Sequence, residues 1–221
     1  MIEAVVFDLD GVIVDSEQVW DDVREQLVRE RSGRWHEGAQ AAMMGMSSPE
    51  WSRYMHDELG LTESPEEINA EVVRRMLARY RADLPLIDGA VDAVRRLAAE
   101  LPLGVASSSN RPLIEAVLER AGIADLFAAV VSSEEVARGK PAPDVYLEAA
   151  SRLGMEPARC AAIEDSSNGI RAAHGSGMRV LVLPNAHYPP APDALALADA
   201  VARSAHELTP ELVRDVLKNI Q

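Results

Sequence analysis

The stretch Val5-Val6-Phe7-Asp8-Leu9-Asp10-Gly11-Val12 constrains this chain more than any other. Its apolar start reads as a buried strand of a parallel sheet. The strand runs straight into two carboxylates placed two positions apart. Strand side chains alternate between faces, so Asp8 and Asp10 can project to the same side of the strand end. Acids held that close repel each other unless a cation lies between them or one keeps its proton. Gly11 lets the backbone turn sharply or approach a ligand closely. Alone, Asp-x-Asp fits a solvated surface turn as well as a functional site, and the rest of the chain has to decide between them.

Beyond this strand, Asp15 to Arg31 has helical periodicity, with Val19, Trp20, Val23, Leu27 and Val28 on one stripe. Trp20 fits a packing role, and its place early in the helix also lets it line a pocket. Ser48-Pro49 has the form of an N-cap followed by proline at N1, which predicts a short helix there. Ser64-Pro65-Glu66-Glu67 is a capping box, and the helix it starts carries Ile68, Val72, Val73, Met76, Leu77 and Tyr80 on one side. Residues 16–82 are therefore expected to be helical without a strand.

From Pro85 the pattern changes to alternation. Helices are expected at 89–100, 111–121, 142–153 and up to about Ser176. Strands are expected at 103–106, 128–131, 160–163 and 179–183, the last closing the run. Residues 184–193, with four prolines, read as an irregular loop, and Thr209-Pro210-Glu211 caps a final helix. Strands alternating with helices imply βαβ units and an α/β fold with a parallel sheet.

Composition narrows the function. The 221 residues suit one large domain, or a core domain with an insertion. A net charge of −14 lacks the basic footprint of a nucleic-acid binder, so no nucleic-acid partner is expected. A single cysteine, Cys160, allows no disulfide within one chain and favours a reducing compartment. No run approaches membrane-spanning length and no leader pattern precedes the first strand, so a cytoplasmic protein without a membrane partner is expected. The five histidines (His36, His56, His174, His187 and His206) show no ligand-like spacing, so a zinc site is not indicated.

Open parallel sheets bind ligands beyond the carboxyl ends of their strands. Four such ends carry polar residues after apolar runs: Asp8 and Asp10, Ser107, the loop reaching Lys140, and Glu164 with Asp165. Taken singly, each is an ordinary loop residue, cap or charged turn. Together they suggest phosphoryl transfer. Clustered carboxylates favour a hard, oxygen-seeking cation, and Mg²⁺ suits a site that also holds phosphate oxygens. A lysine and a serine hydroxyl would balance and bind the transferring group. One carboxylate could attack phosphorus to form an aspartyl-phosphate, and a second could protonate the leaving oxygen and later take a proton from water.

The segments Asp8-Leu9-Asp10-Gly11-Val12, Ser107, Gly139-Lys140-Pro141 and Glu164-Asp165-Ser166, in that order, resemble the four motifs of the haloacid dehalogenase-like (HAD) superfamily. The resemblance implies a doubly wound, Rossmann-like parallel-sheet core, residues 1–15 and 83–221, with an inserted all-helical type-1 cap, residues 16–82. Asp15-Ser16-Glu17 is similar to the beta-phosphoglucomutase and sugar-phosphatase branch. The resemblance further implies Asp8 as nucleophile and metal ligand, and Asp10 as general acid/base with its backbone carbonyl on the metal. Ser107 and Lys140 would bind the phosphoryl group. Asp165 would ligate Mg²⁺, with Glu164 as a direct or indirect partner. Gly11, Ser108, Ser109, Asn110 and Asn168, with Trp20 and Gly45 from the cap, are the candidate substrate contacts. Dehalogenase members lack the second acid of the first motif, so Asp10 favours phosphoester chemistry.

Beta-phosphoglucomutase carries a cap histidine near the position of Trp20, and an arginine after its Gly-Val-Ser segment. Here that segment is Gly45-Met46-Ser47-Ser48. A mutase needs a fixed cation for the second phosphate of its substrate, and no clamp is visible in this stretch. The expectation is a phosphatase, acting as a monomer on a small phosphorylated metabolite such as a sugar or polyol phosphate. A mutase is the alternative. A phospho-accepting receiver domain is a distant one, because the order of its acids is wrong and the chain is too long. Hinges are expected near Val14–Ser16 and Ala82–Leu86.

Overall fold

The computed structural model describes residues 1–44, 46–185 and 188–215. Six parallel strands form one sheet: β1 (Ala4–Phe7), β2 (Leu103–Ser107), β3 (Phe127–Ser132), β4 (Cys160–Glu164), β5 (Arg179–Val182) and β6 (Ala200–Val201). Their order is β3-β2-β1-β4-β5-β6. Every residue of β1, β2 and β4 is buried, as expected of strands covered on both faces.

The period-two rule divides the core. Val5 and Phe7 belong with Leu103, Val105, Ile163 and Leu181 on one face, against helices α5 (Ala90–Ala98), α6 (Arg111–Arg120) and α10 (Pro210–Asp215). Ala4 and Val6 belong with Ala106, Ala162 and Val180 on the other, against α7 (Asp144–Leu153), α8 (Ser167–Gly175) and α9 (Pro192–Leu195). The sheet is doubly wound. Phe7 meets Phe127 edge to face, with centroids 6.0 Å apart, and its truncation to alanine should cost roughly 3–5 kcal/mol.

Strand order reverses at β1, because the chain proceeds to β2 on one side and to β4 on the other. That switch point opens a crevice at the carboxyl ends of the strands. Phe7 pairs with Ile163 and with Val105, so Asp8, Glu164 and the end of β2 arrive at one place.

Between β1 and α5 lie α1 (Glu17–Glu30), α2 (Ala39–Met43), α3 (Ser48–Asp57) and α4 (Pro65–Ala82), with no strand among the described residues of 16–82. Ser64 and Glu67 form the capping box the sequence predicts, with bonds of 2.9 and 3.3 Å. The two connections run side by side: the Asp15 N–H donates to the Pro85 carbonyl at 2.8 Å, and Val14 bridges Leu86.

Three expectations need correction. The α3 cap is Ser47, not Ser48, because only Ser47 has an acid at N3, Glu50, to complete a capping box. The stretch 184–193 gives way to the short helix α9, and β5 does not close the sheet, since β6 adds an edge strand. The five-residue α2 also escaped the sequence reading.

Candidate active site

The turn after β1 sets the site. Gly11 has φ 75°, a conformation favoured by glycine, and a Cβ there would lie 1.8 Å from Asp165 Oδ2. Gly11 thus makes room for a carboxylate and does not line the cavity itself. Gly169 does the same in α8, where a Cβ would fall 1.8 Å from Glu164 Oε1.

Glu164 is fully buried. Its Oε1 accepts from Lys140 Nζ at 2.7 Å and from the Tyr146 hydroxyl at 2.6 Å. Its Oε2 accepts from the Asp165 and Ser166 N–H groups and the Ser166 hydroxyl at 3.1–3.2 Å. Burial alone would push this carboxyl up, but the Lys140 charge and these bonds more than offset it and hold the pKa below the ordinary value. Lys140 also lies 3.0 Å from Asp8 Oδ1. Burial works against its ammonium, yet Asp8 and Glu164 together keep its pKa above that of ordinary lysine.

Asp8 Oδ1 also accepts the Leu9 N–H at 2.7 Å. The Asp165 carboxylate accepts no hydrogen bond among the described residues. Burial, helped by the negative neighbours and opposed by the Lys140 charge, lifts both Asp8 and Asp165 well above the ordinary carboxylate range. One oxygen each from Asp8, Glu164 and Asp165 lies within 4.8 Å of the others. Such an all-oxygen set of buried acids, two of them destabilised as anions, fits a metal cation. Asp10 does not join this cluster through its side chain.

The Asp10 carboxylate is instead held from several sides. It accepts from the Ser16 hydroxyl, from Trp20 Nε1 at 3.3 Å, and from the Ser109 hydroxyl at 2.7 Å. Ser16 occupies the N-cap position of α1 but gives its hydroxyl to Asp10 and caps nothing. Ser107 is fully buried behind the cavity wall. Its oxygen accepts the Ser109 N–H at 3.0 Å and lies 3.5 Å from Asp10 Oδ2. The hydroxyls at the wall come from Ser108 and Ser109, and that of Ser108 is buried without a partner.

Asp8, Asp10, Lys140 and Asp165 line one cavity of about 440 Å³, together with Trp20, Ser108, Ser109 and Asn168. Asn110 does not. Its amide donates to Asn69 of α4 at 3.1 Å and to Glu134 at 2.7 Å, and Ser48 donates to the same Glu134 oxygen at 3.1 Å. Asn110 therefore ties the helical segment to the sheet. Gly45 lies outside the described residues.

Sequence reasoning missed the opposite wall. Glu17 and Arg24 line it with Trp51, Met43, Met44, Met46 and Tyr188. Burial, with the Asp10 charge, raises Glu17 to about 7, against the lowering effects of Arg24 and Gln40. Glu17, Trp20 and Arg24 stand at i, i+3 and i+7, one face of α1, which was the available signal.

Fold and site together define a doubly wound α/β protein with a carboxylate-rich cavity beneath inserted helices. The chain belongs to the haloacid dehalogenase-like hydrolase family, whose model matches residues 2–177. It falls in the sugar-phosphatase-like branch and is a phosphomonoester hydrolase by class. Hexitol phosphatase B of Escherichia coli K12 is 31% identical over 230 residues, covering 94% of this chain and 95% of the relative. Fructose-1-phosphate phosphatase YqaB of the same organism is 32% identical over 180 residues, covering 79% and 92%. The crystal structure of CbbY from Rhodobacter sphaeroides in complex with phosphate superposes with a TM-score of 0.86 at 27% identity, covering 97% and 100%. No helix among the described residues is long and apolar enough to cross a membrane.

Proposed function

We propose that this chain is a Mg²⁺-dependent phosphatase that hydrolyses a small sugar or polyol phosphate through an aspartyl-phosphate on Asp8. The observation that carries the reading is the buried set Asp8, Glu164 and Asp165 with Lys140 between Asp8 and Glu164. Asp8 and Asp165 have oxygens free to hold the cation. Glu164, whose oxygens already accept five donors, orients Lys140 and the backbone of Asp165. Bound Mg²⁺ would neutralise charge on the phosphoryl oxygens.

In the first step an Asp8 oxygen bonds to phosphorus and the ester oxygen leaves with a proton from Asp10. In the second, Asp10 takes a proton from water as that water attacks phosphorus, which releases phosphate and restores Asp8. Trp20, Ser16 and Ser109 keep the Asp10 carboxyl aimed. Lys140 and the unpartnered Ser108 hydroxyl bind phosphoryl oxygens. The names of the relatives support a sugar or polyol phosphate as substrate.

We also read residues 16–82 as a cap domain over a core of 1–15 and 83–221, hinged where Asp15 meets Pro85. The test is phosphate release over sugar, polyol and nucleotide monophosphates. Release that needs Mg²⁺ and disappears with EDTA is expected. Isomerisation of the substrate without release, or turnover indifferent to EDTA, would overturn the reading.

A further inference from the structure

We propose that Arg24 receives a second anionic group of the substrate, at the end remote from the phosphate that is cleaved. The proposal rests on the phosphatase reading and deepens it: the substrate class becomes phosphorylated metabolites that carry a further phosphate or carboxylate.

Arg24 is only 5% exposed, yet it lines the same cavity as Asp8 and Lys140. Its Nε has no hydrogen-bond partner, and Nη1 makes one bond, to Gln40 Oε1 at 3.3 Å. It forms no ion pair among the described residues. A buried guanidinium without an ion-pair partner is costly, and natural proteins keep one where something else completes it. Glu17, Asp10 and Asp21 favour its charge through space, but none forms an ion pair with it among the described residues, and the Glu17 Oε2 accepts instead from Gln40 Nε2 at 3.1 Å.

The geometry also pre-organises the group. The guanidinium carbon lies 4.4 Å from the Trp20 ring centre and 4.9 Å from that of Trp51. Two rings hold the planar fork in place, which suits bidentate recognition of a carboxylate or phosphate. Burial, opposed by Glu17 and Asp10, lowers the Arg24 pKa to about 10, so the group is still charged at neutral pH. Lys140, the other cation among the described cavity residues, is already matched by Asp8 and Glu164. Arg24 is therefore the cation left to select charge. A cavity of about 440 Å³ has room for a sugar substituted at both ends.

The experiment uses matched pairs with one anionic group added: fructose 1-phosphate against fructose 1,6-bisphosphate, and glycerol 2-phosphate against 2-phosphoglycerate. With Mg²⁺ present, calorimetry on Asp8→Asn protein should show the member with two anionic groups in at least one pair binding roughly 10- to 100-fold more tightly. The pair that responds identifies phosphate or carboxylate as the group. Adding Arg24→Met, which keeps the length and packing of the side chain, should bring that ratio close to one. Arg24→Lys should recover only part of it. Equal binding within both pairs, or an Arg24→Met change that weakens both members by the same factor, overturns the proposal and leaves Arg24 a packing residue. Binding is read without turnover, so failure of the phosphatase reading, seen as no phosphate release by the unsubstituted enzyme, is a separate result.

Discussion

Two buried cations face each other across the cavity, and their surroundings differ. Lys140, on the sheet side, has carboxylate oxygens at 2.7 and 3.0 Å, and one of its partners, Glu164, is itself saturated with donors. Arg24, on the helical side, has one amide oxygen at 3.3 Å and an orphaned Nε. On the sheet side the lysine is matched and fixed before substrate arrives, as machinery for one unchanging reaction should be. The helical side is incomplete, as a surface that chooses among substrates can be. Asp10 joins the two, because it accepts both from Trp20 of α1 and from Ser109 after β2.

The largest effect that probes this contrast is on Asp10. Asp10→Asn keeps the volume but cannot relay a proton. Turnover should fall by about 10²–10⁴, measured as steady-state phosphate release. A loss under tenfold would detach Asp10 from the chemistry.

Lys140→Met should cost about 3–5 kcal/mol of unfolding free energy, because it strands Glu164 and Asp8 as unpaired buried acids. Arg24→Met should cost no more than about 1 kcal/mol, since it forfeits ring contacts but removes a buried charge that has no ion-pair partner among the described residues. Denaturant melts of the two variants test the contrast, and equal losses would break it.

The most gradual effect concerns pH. The carboxyl of Glu17 is raised to about 7 by burial and Asp10, so between about pH 4.5 and 7 the folded chain keeps a proton that the unfolded chain has lost. Stability should therefore fall as pH rises through that window, by up to about 1.4 kcal/mol per unit from this group. Glu17→Gln should remove that part of the slope in melts run across the window. An unchanged slope would place the ionisation of Glu17 elsewhere.

Much of the sheet side was legible in the sequence. Apolar runs that end in acids or hydroxyls marked β1, β2 and β4, and parallel-sheet topology brings such ends together without further information. What escaped has physical reasons. β6 is two residues at a sheet edge and α9 is four, too short for any period to show. Two adjacent serines can each cap α3, and only the spacing to Glu50 decides between them. On α1, the amphipathic rule assigns charges to solvent, so Glu17 and Arg24 were passed over beside the apolar stripe. They face the cavity because other helices and the Tyr188 loop enclose them, which no local pattern records. Asn110 reads as a substrate contact from its place beside Ser109, but long-range contacts with Asn69 and Glu134 claim its amide.

The most direct test of the account is to mix enzyme, Mg²⁺ and a turned-over phosphate ester, quench in acid within one turnover, and locate any added phosphoryl group by peptide mass spectrometry. The account predicts a phosphoryl group on Asp8 that is absent from Asp8→Asn protein, which should turn over on the order of 10⁴-fold or more slowly. An unmodified Asp8 during active turnover, together with near-normal activity of Asp8→Asn, would contradict it.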